Sequence, residues 1–278
     1  MFLGAPMFRL LFLALLATLA STASAVSLGS KHAILIDEDS GRVLFQKNAT
    51  DIVPIASLTK LMTAMVVLDA HLDMDEPITI TEDDVDTLKF SSSRVPVGAT
   101  FSRRTLLELA LMSSDNRAAH ALARTYPGGL EAWRVAARNK AMALQLRRTN
   151  IGEPTGLSPN NTSTAADLAK LAMAASQYPE IQQITTVSED QIEVRGRQRQ
   201  YHNTNRFVRD GSWDILLSKT GFTKEAGRCI IMRVRAAGHN AVMVLLNARE
   251  SISRTADANR LYHMLSSENQ PQMVAELR

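Results

Sequence analysis

Residues 56–70 place Leu58, Leu61, Met62, Met65, Val66 and Leu68 so that nearly every face of a helix is apolar. A helix with no polar face has nothing to present to water, so it lies in the middle of the protein and the rest of the chain must surround it. Upstream, Ala33-Ile34-Leu35-Ile36, the turn Asp39-Ser40-Gly41 and Val43-Leu44-Phe45 read as an antiparallel hairpin. Downstream, strand patterns return at 215–217, 228–235 and 241–246, with a turn through Gly238, and a last helix covers about 254–265. Between the two, the pattern is mostly helical, clearest at 106–112, 118–124 and 130–146, and Thr164 to Asp167 is a capping box that opens another helix. The expected class is α/β (α+β): one antiparallel sheet built from both chain ends and flanked by helices, with an all-helical lobe inserted at roughly 81–173.

Composition narrows the function. The 278 residues carry 31 Lys+Arg against 28 Asp+Glu, a net charge of +3, without a block of five or six like charges. Nucleic acid is therefore not an expected partner. A single cysteine excludes a disulfide framework, and Cys229, inside an apolar strand pattern, reads as a core thiol. At the N-terminus, Arg9, an apolar run over 10–20 and Ala23-Ser24-Ala25 follow the order of a cleaved export signal. The run is shorter than the ~20 residues of a spanning helix, the alternative reading. The expectation is a signal segment over 1–25 and one domain over 26–278, exported and soluble.

Several chemistries fail at the level of motif. The six histidines are scattered, with no HExxH and no cysteine pair, so neither a metal nor a cofactor is expected. The GxSxG elbow and glycine-rich phosphate loops are also absent. What stands out is Lys60 inside the apolar helix, one turn after Ser57 and on the same face. Burial disfavours the ammonium, pulling an amine of ordinary pKa about 10.4 towards the neutral form that a serine nucleophile needs as its base. The bland alternative makes Ser57 a helix cap and lets Lys60 reach water. Lys219-Thr220-Gly221, at the end of the strand over 215–217, weighs against that, since such a triplet arises by chance in about one chain in fifteen of this length. An SxN pattern occurs three times, at Ser114-Asp115-Asn116, at Ser158-Pro159-Asn160 and at Ser267-Glu268-Asn269. Position favours the first, in a loop between two helices of the middle lobe.

Ser57/Lys60, Ser114/Asn116 and Lys219/Thr220/Gly221, in that order, resemble the three active-site motifs of penicillin-recognising serine D,D-peptidases and serine β-lactamases. The segments 56–65, 111–119, 153–159 and 217–223 narrow the likeness to the low-molecular-mass D-alanyl-D-alanine peptidases, nearest their endopeptidases. It covers nearly all of 26–278, and lacks the C-terminal β-domain and amphipathic anchor of the carboxypeptidase relatives, so no stable membrane anchor is expected. The resemblance implies the transpeptidase/β-lactamase-like fold, a periplasmic location, and peptidoglycan stem peptides and β-lactam antibiotics as binding partners. It implies that Ser57 attacks a D-Ala carbonyl, Lys60 takes the serine proton and Ser114 passes a proton to the leaving amine. Asn116 would orient Lys60 and the substrate amide, and Lys219 would help keep Lys60 neutral. Thr220 would bind the substrate carboxylate, Gly221 would let the substrate strand approach, and the N–H groups of Ser57 and Phe222 would form the oxyanion hole. Thr223 completes the implied substrate-binding stretch. A carboxypeptidase would use the same residues. A β-lactamase needs a carboxylate to activate water, and Glu153, followed four residues on by Leu157 where those enzymes carry Asn, reads instead as a shaper of its turn. An inactive murein-binding scaffold is the alternative from outside the enzymes.

Overall fold

Side-chain alternation explains how the two ends of the chain meet in one sheet. The computed structural model describes residues 27–266. The expected signal over 1–25, the start at Val26 and the SxN triplet at 267–269 lie outside the described residues. Strand β1 (His32–Asp37) forms the expected antiparallel hairpin with β2 (Val43–Lys47). The chain then runs through β3 (Val53–Pro54) and a single 3-10 turn, Ala56–Thr59, into α1 (Lys60–Asp69). A short ribbon of β4 (Pro77–Thr79) and β5 (Thr100–Ser102) precedes helices α2 (Arg103–Leu111), α3 (Asn116–Arg124) and α4 (Gly129–Ala143). Next, β6 (Thr162–Ser163) pairs back with β3 before α5 (Ala165–Ala175) and α6 (Pro179–Thr186). The hairpin of β7 (Glu189–Val194) and β8 (Arg197–His202) and the short α7 (Arg206–Asp210) lead into β9 (Asp214–Thr223), β10 (Gly227–Ala236), β11 (His239–Ala248) and α8 (Ser251–Ser266).

The main sheet has the order β2-β1-β11-β10-β9 and is antiparallel throughout. Along β11, Val242, Val244 and Leu246 enter the core shared with α1 and α5, while Ala241, Met243 and Leu245 enter a second core with Ala258, Leu261 and Leu265 of α8. Both faces are covered, so both parities are apolar, and the strand reads in sequence as one unbroken run. Each Val, Leu and Met side chain among these, fully buried, contributes about 1.5–3 kcal/mol. Helix α1 is wrapped as its composition demands, with Leu61, Met62, Ala64, Met65, Val66 and Val67 all buried. Among the described residues, no helix is long and apolar enough to cross a membrane.

The structure departs from the sequence reading in places. Lys219-Thr220-Gly221 does not end a strand: β9 runs on to Thr223 because Gly221, Phe222 and Thr223 still pair with Cys229, Arg228 and Gly227. Residues 81–173 are not purely helical, since they hold β5 and β6. The capping box at Thr164 is half made. The Thr164 hydroxyl accepts from Asp167 N at 3.0 Å, but the Asp167 carboxylate accepts from Arg148 N and Thr149 Oγ1 instead of closing the box. Between 176 and 213 lie α6, β7, β8 and α7, which the pattern does not announce. The hairpin gives the core only Ile192, Val194 and Tyr201, so it carries no apolar period. Its one signal is Arg195-Gly196, both at positive φ (54° and 74°) as a tight two-residue hairpin turn requires.

Candidate active site

Ser57 stands on a strained turn clamped from two sides. Ala56 has φ 48°, a left-handed conformation that costs a non-glycine residue roughly 1–2 kcal/mol. The strain persists because backbone packs hard against it. A Cβ on Gly156 would fall 1.9 Å from the Ala56 carbonyl oxygen, and one on Gly221 would lie 3.1 Å from Ile55 O and Ser57 N. Gly221 was expected to admit substrate; the group it visibly admits is the Ser57 turn itself. Behind the turn, the Glu153 carboxylate accepts from Thr155 N at 2.7 Å, Thr155 Oγ1 at 2.6 Å, Gly156 N at 2.7 Å, Ser158 N at 3.2 Å and Asn161 Nδ2 at 3.1 Å. This is the turn-shaping role expected of it.

The next residue of consequence is Lys60, the first of α1 and only 1% exposed. Its Nζ donates to Ser57 Oγ at 3.0 Å, Asn116 Oδ1 at 2.7 Å and the Thr155 carbonyl at 2.7 Å. Burial pulls the amine down to about 8, while the Glu153, Asp115 and Asp86 carboxylates act to hold its proton on. Across from it, Lys219 Nζ donates to Ser114 Oγ and to the Thr220 carbonyl, both at 2.9 Å. Lys219 lies well below the ordinary lysine range, first through burial, then through the charges of Lys60 and Arg254. The expected help from Lys219 in neutralising Lys60 is not among the causes that act on Lys60: burial is what lowers it, and the charge of Lys60 acts instead on Lys219.

Ser114 follows α2 at φ 62°, and Asp115 caps α3 by accepting from Ala118 N at 3.0 Å. Asn116, first in α3, turns its amide oxygen to Lys60 and donates through Nδ2 to Ser91 Oγ at 2.8 Å. The three separated motifs therefore form one hydrogen-bonded cluster between α1, the α2–α3 loop and β9.

Residues 19–250 match the model of the D-alanyl-D-alanine carboxypeptidase family, peptidase S11. The chain belongs to this family. It is 44% identical over 242 residues to the D-alanyl-D-alanine endopeptidase of Pseudomonas aeruginosa, covering 86% of this chain and 78% of that protein. It is 42% identical to the D-alanyl-D-alanine endopeptidase of Escherichia coli, covering 87% of this chain and 79% of that protein. The solved DD-transpeptidase of Streptomyces K15 superposes with a TM-score of 0.79 at 24% identity, over 85% of this chain and 97% of that one, and shares the fold.

Other positions in this S11 chain sort less simply. The Thr223 hydroxyl accepts from Ala226 N at 3.1 Å, so it serves the β9–β10 turn, and Phe222 is half-exposed under the Arg228 guanidinium, 3.9 Å from the ring centre. Thr220 donates to Thr204 Oγ1 at 2.6 Å. Thr204, Ser91 and Arg254 were not singled out from sequence. Thr204 and Ser91 sit in polar loops without a motif. Arg254 acts from α8, more than thirty positions past Lys219, where only the fold could bring it near. Asp37, Asp39 and His239 place possible metal-ligand atoms within 4.8 Å of one another, but at the turns on the far end of the sheet.

Proposed function

We propose that this chain is a serine D-alanyl-D-alanine endopeptidase that cleaves D-Ala–D-centre cross-links of peptidoglycan. Residues 1–25 would direct it to the periplasm, and β-lactams would acylate it. The observation that carries the reading is the setting of Lys60 Nζ. An ammonium has three N–H groups, and here they meet Ser57 Oγ, Asn116 Oδ1 and a backbone carbonyl. An amide oxygen and a carbonyl can only accept. When the amine gives up one proton, its two remaining N–H groups stay with those two acceptors, and the lone pair is left facing Ser57 Oγ. With the amine at about 8, roughly a tenth is neutral at pH 7.

Ser57 then attacks the D-Ala carbonyl and gives its proton to Lys60, forming a tetrahedral adduct whose oxyanion is held by the N–H groups of Ser57 and Phe222; its collapse breaks the C–N bond, expels the amine and leaves the acyl-enzyme. Ser114, in contact with Lys219, delivers a proton to the leaving amine. Water later releases the acyl group. Thr220 and Lys219 receive the carboxylate beside the scissile bond. Endopeptidase is preferred over carboxypeptidase because the relatives at 44% and 42% identity bear that name, whereas named carboxypeptidases, that of Streptomyces K15 among them, stand at 28–30%. A β-lactamase is disfavoured because the Glu153 carboxylate is consumed by its own turn.

Digestion of purified cross-linked muropeptides tests the reading. Conversion of dimers to monomers is the expected result. Release of free D-Ala with dimers intact would make the enzyme a carboxypeptidase, and no turnover alongside no penicillin adduct would make it a scaffold.

A further inference from the structure

Thr204, in the short link between β8 and α7, makes hydrogen bonds to two of the three motif segments. Its N–H donates to the Met112 carbonyl at 3.1 Å, two residues before Ser114, and its hydroxyl accepts from Thr220 Oγ1 at 2.6 Å. Its flanks are fixed. Asn203, 3% exposed, donates to the carbonyls of Thr185 and Val187 and accepts from Asn205 N, while Asn205, 1% exposed, accepts from Phe207 N. The position of the Thr204 hydroxyl is thereby set by backbone that two buried asparagines hold in place.

A hydroxyl has one proton and two lone pairs. With no ligand, the Thr220 proton points at Thr204, so Thr220 turns a lone pair towards the cleft. A carboxylate requires the opposite polarity, because it accepts only. The Thr220 proton must swing to the ligand, and the lone pair it leaves behind is satisfied if the Thr204 proton turns onto Thr220 Oγ1. The result is a chain in which Thr204 donates to Thr220 and Thr220 donates to the carboxylate, each bond polarising the next.

We propose that Thr204 is a positioning residue for the substrate carboxylate: its hydroxyl aims the Thr220 proton into the cleft and so sets the preference for a free acid beside the scissile bond. This rests on the reading above that Thr220 meets that carboxylate. No atom of Thr204 need touch the substrate.

The test compares wild type, Thr204→Val and Thr204→Ser on one peptide dimer cross-linked through a D-Ala–D-centre bond, with the D-centre carboxylate beside the scissile bond supplied as the free acid and as the amide. Thr204→Val is expected to lower kcat/KM for the acid about tenfold, the worth of a lost hydrogen bond that also strands a lone pair. KM should carry most of the change. The amide, which can donate to Thr220 in its resting polarity, should change less than twofold, and Thr204→Ser should restore the acid preference. Thr204→Val in a Thr220→Val background should add nothing. Equal losses on acid and amide, or an additive double variant, would reduce Thr204 to a structural part and overturn the proposal. So would an unchanged acid preference in Thr204→Val. If Thr220→Val by itself leaves the acid preference intact, the carboxylate pocket is misassigned, a failure separate from that of Thr204. Thr204→Ala, which keeps the N–H to Met112, replaces the valine variant should that one melt early.

Discussion

The two ends of the main sheet use glycine for different reasons. At the far end, Gly41 (φ 69°) and Gly238 (φ 82°) sit in hairpin turns where an added Cβ would meet nothing within 4 Å. They are glycine because of backbone angle alone. At the site end, Gly156 and Gly221 are glycine because another stretch of backbone occupies the place of a side chain. Gly221 does so without an unusual φ. The far end tolerates approximation, whereas the Ser57 turn is fixed by main-chain packing that no rotamer change can relieve.

The substitution that should separate the ends most is Gly156→Ala. A Cβ 1.9 Å from a carbonyl oxygen and a positive φ of 85° act together, so a loss of about 2–5 kcal/mol is expected, with fluorescent-penicillin labelling abolished. Thermal melts and gel labelling read both. Labelling at the wild-type rate would break the comparison. Gly221→Ala should come next. Its 3.1 Å contacts can be relieved by small shifts, so stability should fall by about 1–3 kcal/mol. Acylation should suffer more, because the atoms that shift include Ser57 N.

Protonation sharpens the contrast further, since pH should govern rate at one end and stability at the other. In the proposed role of base Lys60 works only when neutral, so the acylation rate constant should rise with pH through about 8 and flatten above it. Stopped-flow acylation checks this, and a flat profile from pH 6 to 9 would remove the general-base role. At the far end, burial pushes the Asp37 carboxyl up, but the Ser40 amide and hydroxyl and the His239 charge outweigh it and hold the group below the ordinary value of 3.8. A depressed carboxyl stabilises the fold above that value and loses the contribution as pH falls through its folded pKa. Asp37→Asn should therefore flatten the acid side of the stability curve and leave the acylation profile alone. Smallest of all, Gly238→Ala should cost about 1–2 kcal/mol of strain and change acylation less than twofold.

Much of this contrast is legible in the order of the residues. The sheet from both chain ends follows from strand signals at 33–45 and 215–246, and the central helix follows from its lack of a polar face. Among the SxN triplets, loop position alone selects Ser114, and Lys219 Nζ does reach it. What stays hidden has physical causes. Hairpin β7–β8 buries three side chains and so leaves no period. Thr204 carries no motif because its position is set by hydrogen bonds from neighbours, not by its own type. Gly221 is conspicuous in sequence, but which backbone needs its missing Cβ is a matter of tertiary approach. The 3-10 turn at Ala56 likewise answers to Gly156, a hundred residues away.

Cys229 lies directly across from Gly221 in the β9–β10 pairing, fully buried, with its thiol donating to the Ala226 carbonyl at 3.4 Å. Burial raises that thiol to about 11, so at neutral pH it is neither exposed nor a thiolate. A thiol reagent then meets nothing in the native molecule and reacts only when β9 and β10 part. As the chain has a single cysteine, the labelling rate in native buffer measures one event, the opening of the sheet beside Ser57. An acyl group on Ser57 that braces β9 should slow that reaction without touching the sulfur, which makes the molecule its own gauge of how firmly a bound drug locks the strand.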